Sequence, residues 1–319
     1  MVQADLVLEG GGVKGIGAVG AVLRLLELGY SFPRIAGTSV GAVVAALAAA
    51  GADAGQIRGA MGRLELSRVP DRMSPRLPLI SEGLSLLTRN GAYEGDYIRD
   101  WLDHELRALG VTTFGDLRRE PDGDDGDLHG DQHYKLVVLA TDITHGRLLR
   151  LPWDYHLFHR EPDEQSVADA VRMSMSIPLY FEPQRLTDPV TGDTSVIVDG
   201  AVLSNFAVEI FDRTDGQQPR WPTFGVRILP NLPAGMDQVF PALGLPLPPP
   251  FELLKKVVVT AFVGNDQTHL NLPAVRNRTI AIDTSEVGIT EFDADPDTVQ
   301  TLVHHAREAV DTFLANRRE

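Results

Sequence analysis

Cysteine is absent from the 319 residues, so disulfides, thiolate metal sites and a thiol nucleophile are all excluded. Positive charge is scarce: 29 Lys and Arg against 44 Asp and Glu leave a formal charge of −15. A surface of that sign repels a phosphate backbone, which argues against nucleic acid as a partner. It argues equally against purely electrostatic docking on an anionic membrane. Long apolar runs are missing as well. The longest, VGAVVAALAAAGA from Val40 to Ala52, is too short to cross a bilayer and reads as a buried helix. The opening MVQADLVLEGGG lacks a basic segment followed by an apolar one, so no signal peptide is expected and a cytoplasmic location is.

What the chain does have is enough apolar side chain, 43% of residues, to bury a substantial core. Asp5–Leu8 reads as a short buried strand, and Ile16–Leu28 as a helix with Val19, Val22, Leu23 and Leu26 on one face. Phe32–Gly37 is expected to be a second strand, followed at once by a helix from Val40. Strand, glycine-bearing turn and helix thus occur twice in quick succession, the rhythm of a parallel sheet with crossover helices. Glu94–Leu109 and Asp295–Asn316 read as further helices, and residues 134–143, 195–200, 224–229 and 278–283 as buried strands. Arg119–His133 is acidic and glycine-rich, an exposed loop whose carboxylates miss the spacing of a calcium loop. The proline-rich Phe240–Leu254 reads as a packed connector, with a lid or lipid-facing surface as the alternative.

Two glycine-rich turns carry the chemistry. Gly10–Gly15 matches G-x-G-x-x-G between a strand and a helix, the context of a dinucleotide fingerprint. That fingerprint needs an acidic residue at the end of the second strand to hold the ribose. Here the second strand ends in IAGTSVG and offers none, so the dinucleotide reading loses its main support. GTSVG, Gly37–Gly41, is G-x-S-x-G between a strand and an apolar helix, as a nucleophile elbow requires. Gly37 and Gly41 leave room for the sharp turn, and Ser39 projects its hydroxyl from a helix N-terminus. Only two strands precede Ser39, fewer than an α/β-hydrolase builds before its elbow. The glycine loop belongs to the strand before it, so the amides of Gly11, Gly12 and their neighbours are expected beside the Ser39 hydroxyl as an oxyanion hole.

The serine needs a base. Asp199 in SVIVDG stands at the end of an apolar strand, expected to be parallel, on the rim where such sheets do their chemistry. Its ordinary pKa near 4 makes aspartate a poor base, so a desolvated site must compensate. Asp142 in LATDITHG is also at a strand end, but reads better as an Asx-type turn residue. A Ser–His–Asp esterase would instead draw on His269, His304 or His305, the histidines after Asp199.

With EGGGVKG, GTSVG and DGA in this order, the chain resembles the patatin-like phospholipases, lipid acyl hydrolases with a Ser–Asp dyad. MSMSIPLYFEP, Met173–Pro183, resembles a fourth family block, and the tail from RTIAID through TEFDAD to the last helix is similar to bacterial members. The resemblance implies a three-layer α/β/α fold with a central, mostly parallel sheet, as a single domain over residues 1–319. Residues 5–210 would form the motif-bearing core and 211–319 would complete the fold. It implies Ser39 as nucleophile and Asp199 as base. Gly10, Gly11, Gly12 and Gly15 would supply the oxyanion loop, with Lys14 at the family's Arg or Lys position. The implied substrate is a phospholipid or another acyl lipid, cleaved through an acyl-enzyme without metal or organic cofactor and with transient membrane contact. An acyltransferase using the same acyl-enzyme and a non-catalytic or partner-activated lipid-binding member are the alternatives. One departure is Ser204-Asn205-Phe206-Ala207, where many relatives carry a proline after the asparagine. Another is Glu9, an acid beside the glycine loop.

Overall fold

The computed structural model describes residues 2–71, 91–120, 132–228, 249–264, 267–284 and 296–317. Residues 121–131, most of the acidic loop expected from the sequence, lie outside the described residues, as do 240–248 of the proline-rich stretch and 285–295. The chain builds an eight-stranded sheet. Its elements in chain order are β1 (Asp5–Leu8), α1 (Gly15–Glu27), β2 (Ile35–Thr38), α2 (Val40–Ala49), α3 (Ala54–Arg63) and α4 (Asp96–Ala108). There follow β3 (Leu136–Asp142), β4 (Arg147–Leu151), α5 (Val167–Ser174), β5 (Gln184–Thr187), β6 (Thr194–Asp199) and β7 (Thr223–Arg227). The last elements of the layer structure are α6 (Pro249–Gly264), β8 (Thr279–Ala281) and α7 (Pro296–Asn316).

Strand order is β8-β7-β1-β2-β3-β6-β5, with β4 also paired to β3. The pairs β8–β7, β7–β1, β1–β2 and β2–β3 are parallel, and β3–β4, β3–β6 and β6–β5 antiparallel. Every residue of β1, β2 and β3 is buried. Successive side chains of a strand point to opposite faces, so both faces of the sheet centre are covered, as a mostly parallel sheet requires. This explains why those segments read as unbroken apolar runs rather than alternating ones. The second strand begins at Ile35 rather than Phe32, because Pro33 has no N–H to give a ladder. Alanine and valine fill α2 between Ala42 and Leu47, all buried, and α1 lies against α7, where Arg24 holds Asp311 through two hydrogen bonds of 2.8 and 3.0 Å.

The strand that carries Asp199 was expected to run parallel. It runs antiparallel to β3. The register shows why this still suits a rim position. β2 pairs with the first part of β3, Thr38 opposite Leu139, and β6 takes the next residues, Asp199 opposite Ala140. The two strands approach β3 from opposite directions and end on adjacent residues, so the C-terminal ends of β2 and β6 meet. Gly200 permits the meeting: a Cβ there would lie 2.5 Å from the Leu139 carbonyl oxygen and 3.0 Å from Thr38 Cγ2.

Candidate active site

Ser39 occupies the turn between β2 and α2 at φ 53°, ψ −127°, a left-handed backbone conformation that L side chains rarely adopt and that costs on the order of 1–3 kcal/mol. The neighbouring glycines make it attainable. A Cβ on Gly37 would lie 2.5 Å from the Gly41 carbonyl group, and one on Gly41 would lie 2.6 Å from the Leu8 carbonyl oxygen at the end of β1. The strained residue is held on both sides of its backbone. Its N–H donates to Ser174 Oγ at 2.8 Å, and its carbonyl accepts the Ala42 N–H at 2.9 Å, the first bond of α2.

Asp199 is fully buried. Its Oδ1 accepts the Ala201 N–H at 2.9 Å, while Oδ2 has no hydrogen-bond partner among the described residues. Burial pushes its pKa up from 3.8 to about 7, against the smaller opposing effects of the Ala201 amide and the Ser39 hydroxyl. The Ser39 hydroxyl bears on the carboxyl, as one of the two groups that oppose this rise. A carboxylate that titrates near neutrality beside a hydroxyl is suited to accept its proton.

The glycine loop lies against this pair, since a Cβ on Gly10 would come within 2.9 Å of Ser39 Cβ. Its donors divide sharply. The Gly10 N–H donates to Asn205 Oδ1 at 3.2 Å, and the Asn205 amide returns a bond to the Gly10 carbonyl at 3.0 Å. The Lys14 N–H closes a turn on Gly11 at 3.2 Å, and its ammonium is held by the Thr284 carbonyl at 2.5 Å. The Gly15 N–H is engaged by Gly12 and Val13. Gly11 and Gly12 are buried, and among the described residues their N–H groups meet no acceptor. Gly12 sits at φ 57°, where only glycine is unstrained. The sequence places Gly10, Gly11, Gly12, Lys14 and Gly15 in the loop, with the Gly11 and Gly12 amides foremost as donors; among the described residues those two amides are left without an acceptor.

Asn205 is a residue that the sequence does not single out, because its partner Gly10 is 195 residues away. Ser174 and Ser176 were visible only as part of the Met173–Pro183 block. Glu9 is buried and roots the loop, its Oε2 accepting the Ile228 N–H at 2.6 Å. Asp142 is the Asx turn expected of it: Oδ1 accepts from Thr144 and His145 at 3.0 and 3.3 Å, and Oδ2 from Arg147 at 3.0 Å. His304 pairs with Glu308 and His305 bonds the Asp283 carbonyl. Among the described residues no histidine is hydrogen-bonded to Ser39 or Asp199, and no three His, Asp or Glu side chains converge as metal ligands would.

Beside Ser39 lies a tight apolar cleft of about 30 Å³, lined by Val13, Ile16, Val43, Met175, Ile177 and Phe181 among others. Met61 of α3 and Ile98 of α4 also line it, and among its described lining residues Ser39 carries the one hydroxyl. No described helix is long and apolar enough to cross a membrane.

The family model for patatin-like phospholipases matches residues 6–212. The chain is 39% identical over 229 residues to the uncharacterized protein YqhO of Bacillus subtilis, covering 71% of this chain and 72% of that one. It is 26% identical to the uncharacterized NTE family protein MT2641 of Mycobacterium tuberculosis over 303 residues, 90% of this chain but only 43% of the mycobacterial protein. Among solved structures, VipD from Legionella pneumophila superposes with a TM-score of 0.52 at 19% identity, over 98% of this chain and 67% of that chain. ExoU in its complex with SpcU, from the type III secretion system of Pseudomonas aeruginosa, gives the same TM-score and identity over 99% of this chain and 52% of that structure's chain.

Proposed function

The chain belongs to the patatin-like phospholipase family, and from that membership we propose that it hydrolyses acyl esters of phospholipids or related glycerolipids, with Ser39 as nucleophile and Asp199 as general base. The observation that carries the reading is the unpartnered, buried Asp199 Oδ2 beside a strained Ser39 and next to two idle amides. An enzyme that leaves a buried carboxylate oxygen and buried N–H groups unsatisfied forgoes stability at each. Such vacancies suit groups that are satisfied only during reaction.

Asp199 accepts the Ser39 proton as Oγ attacks the ester carbonyl carbon. The Gly11 and Gly12 N–H groups receive the carbonyl oxygen as it becomes an oxyanion, a contribution of about 3 kcal/mol per donor in known cases. Collapse of the tetrahedral species breaks the bond to the alcohol, which leaves with the proton held by Asp199, and the acyl group stays on Ser39. Water then surrenders a proton to Asp199 and attacks the acyl carbon. The fatty acid departs, and Ser39 recovers its proton. The hydrocarbon chain enters along the apolar residues beside Ser39, which part to admit it because the resting cleft has room for only about 30 Å³. No step requires a metal or an organic cofactor, and the lipid is reached by transient contact with a membrane or micelle.

Turnover of a p-nitrophenyl ester and of phospholipid vesicles is the test, using wild type, Ser39→Ala and Asp199→Asn with EDTA present. Wild type alone should turn over, with each variant reduced at least a thousandfold, consistent with loss of a nucleophile or its base. Near-normal rates in Asp199→Asn would remove Asp199 from the mechanism.

A further inference from the structure

We infer that the turn Ser174–Met175–Ser176, seated by Arg172, sets the separation of Ser39 and Asp199, which makes Ser174, Ser176 and Arg172 positioning residues. The inference rests on the dyad reading and deepens it. Both dyad residues have a backbone N–H that strand pairing does not satisfy at this point, and both bonds end on this one turn. The Ser39 N–H goes to Ser174 Oγ at 2.8 Å, and the Asp199 N–H to the Ser176 carbonyl at 2.9 Å. Ser174 Oγ also donates to the Leu139 carbonyl at 2.6 Å, and Leu139 is the β3 residue opposite Thr38. The turn therefore ties β2, β3 and β6 together where β2 and β6 meet. Movement of the turn by an ångström would move both partners of the proton transfer.

Arg172 fixes the turn in place. It is buried, and its guanidinium donates to Ser176 Oγ at 2.8 Å and to the carbonyls of Glu182 (3.0 Å) and Glu94. Ser176 Oγ in turn donates to the Arg172 carbonyl at 3.0 Å. Those two carbonyls flank the parallel pair Gly91–Tyr93 and Leu179–Phe181, so one side chain fastens the turn to two segments outside α5. Gly95 makes room for it, since a Cβ there would lie 2.5 Å from Arg172 Nε. Burial lowers the guanidinium pKa to about 10, which leaves it charged at neutral pH. Its bonds run to backbone carbonyls and a hydroxyl. The groups that act on the Asp199 proton are burial, the Ala201 amide and Ser39. Loss of the device should slow the chemistry without moving the pH at which Asp199 titrates.

The experiment compares wild type with S174A, S174T, R172K, R172M and S166A. Ser166 caps α5 at its other end, accepting the Asp169 N–H at 3.1 Å, and so controls for destabilisation of the helix alone. Each protein is treated with a fluorophosphonate that labels the serine, and its kcat, KM, acid-limb midpoint and thermal midpoint are measured. S174A and R172M should lose roughly ten- to hundredfold in labelling rate and kcat, with KM within about twofold and an unmoved acid limb. S174T, which keeps the hydroxyl, and R172K, which keeps a donor, should each recover part of the loss. S166A should lower the thermal midpoint and leave the labelling rate at the wild-type value. If wild type labels and S174A and R172M label as fast, the inference is overturned. It is also overturned if S166A loses rate in proportion to its stability, as they do. A wild type that does not label would overturn the dyad reading, and this inference with it.

Discussion

On the proposed mechanism, Asp199 serves catalysis at the expense of stability. Its carboxyl is fully buried, with one oxygen unpartnered, and titrates near 7 instead of 3.8. A base must be ionised to work, so kcat/KM should rise with pH and level off above an apparent pKa of about 7. The same shift has a consequence for folding. In the unfolded chain the carboxyl ionises near its ordinary value, whereas the fold favours the neutral form. The stabilising contribution of the neutral group is complete below pH 3.8 and is lost as pH rises through about 7. The loss is about 4 kcal/mol at most, from the two pKa values. Asp199→Asn, neutral at every pH, should therefore melt higher than wild type at pH 8 and close to it at pH 4. Thermal melts of both proteins across that range check the sign. A melting difference that does not change with pH would mean that the Asp199 carboxyl is not held in its neutral form by burial.

The glycine loop is an element whose shape is imposed from outside. Its sequence signalled tight turns and available amides, and Gly12 at φ 57° bears that out locally. Nothing in EGGGVKG shows what occupies the Gly10 amide, because its partner Asn205 is 195 residues away. The short apolar strands, the elbow and the helices α1, α2, α4 and α7 were legible because each has a local period or a steric requirement. The direction of β6 was not, since antiparallel and parallel buried strands have the same apolar run, and direction is settled by pairing with β3. The holding roles of Asn205, Ser174 and Ser176 were hidden for the same reason: their partners are distant in sequence. Asn205→Ala tests the loop directly. It would leave the N–H and C=O of Gly10 without their buried partners, at about 1–3 kcal/mol for each unsatisfied group. The thermal midpoint should fall by several degrees. Turnover should fall about tenfold, as the Gly11 and Gly12 donors lose their fixed aim. Unchanged turnover at a lowered midpoint would confine Asn205 to folding.

At the scale of the whole molecule, the family model ends at residue 212, yet the sheet does not. β7, beyond that limit, pairs with every residue of β1, and β8 pairs with β7. Glu9 and Lys14, on either side of the three loop glycines, are anchored to Ile228 and Thr284, and the Thr284 hydroxyl donates to the Ile228 carbonyl. α1 finds its partner helix in α7 through Arg24 and Asp311, and the Phe224 and Phe313 rings meet edge-on at 5.2 Å. Removing residues 213–319 would turn β1 from an interior strand into an open edge and uncover the apolar side of α1. Unpaired edges of this kind invite aggregation. A chain truncated after residue 212 should therefore carry every motif of the family and yet be inactive. It should also lack a cooperative thermal transition, with weakened near-ultraviolet circular dichroism. A soluble fragment that melts cooperatively and hydrolyses the ester at the full-length rate would assign the last third of the chain an accessory role. The anchoring of Glu9 and Lys14 predicts the opposite, because both ends of the glycine loop are held by residues that the truncation removes.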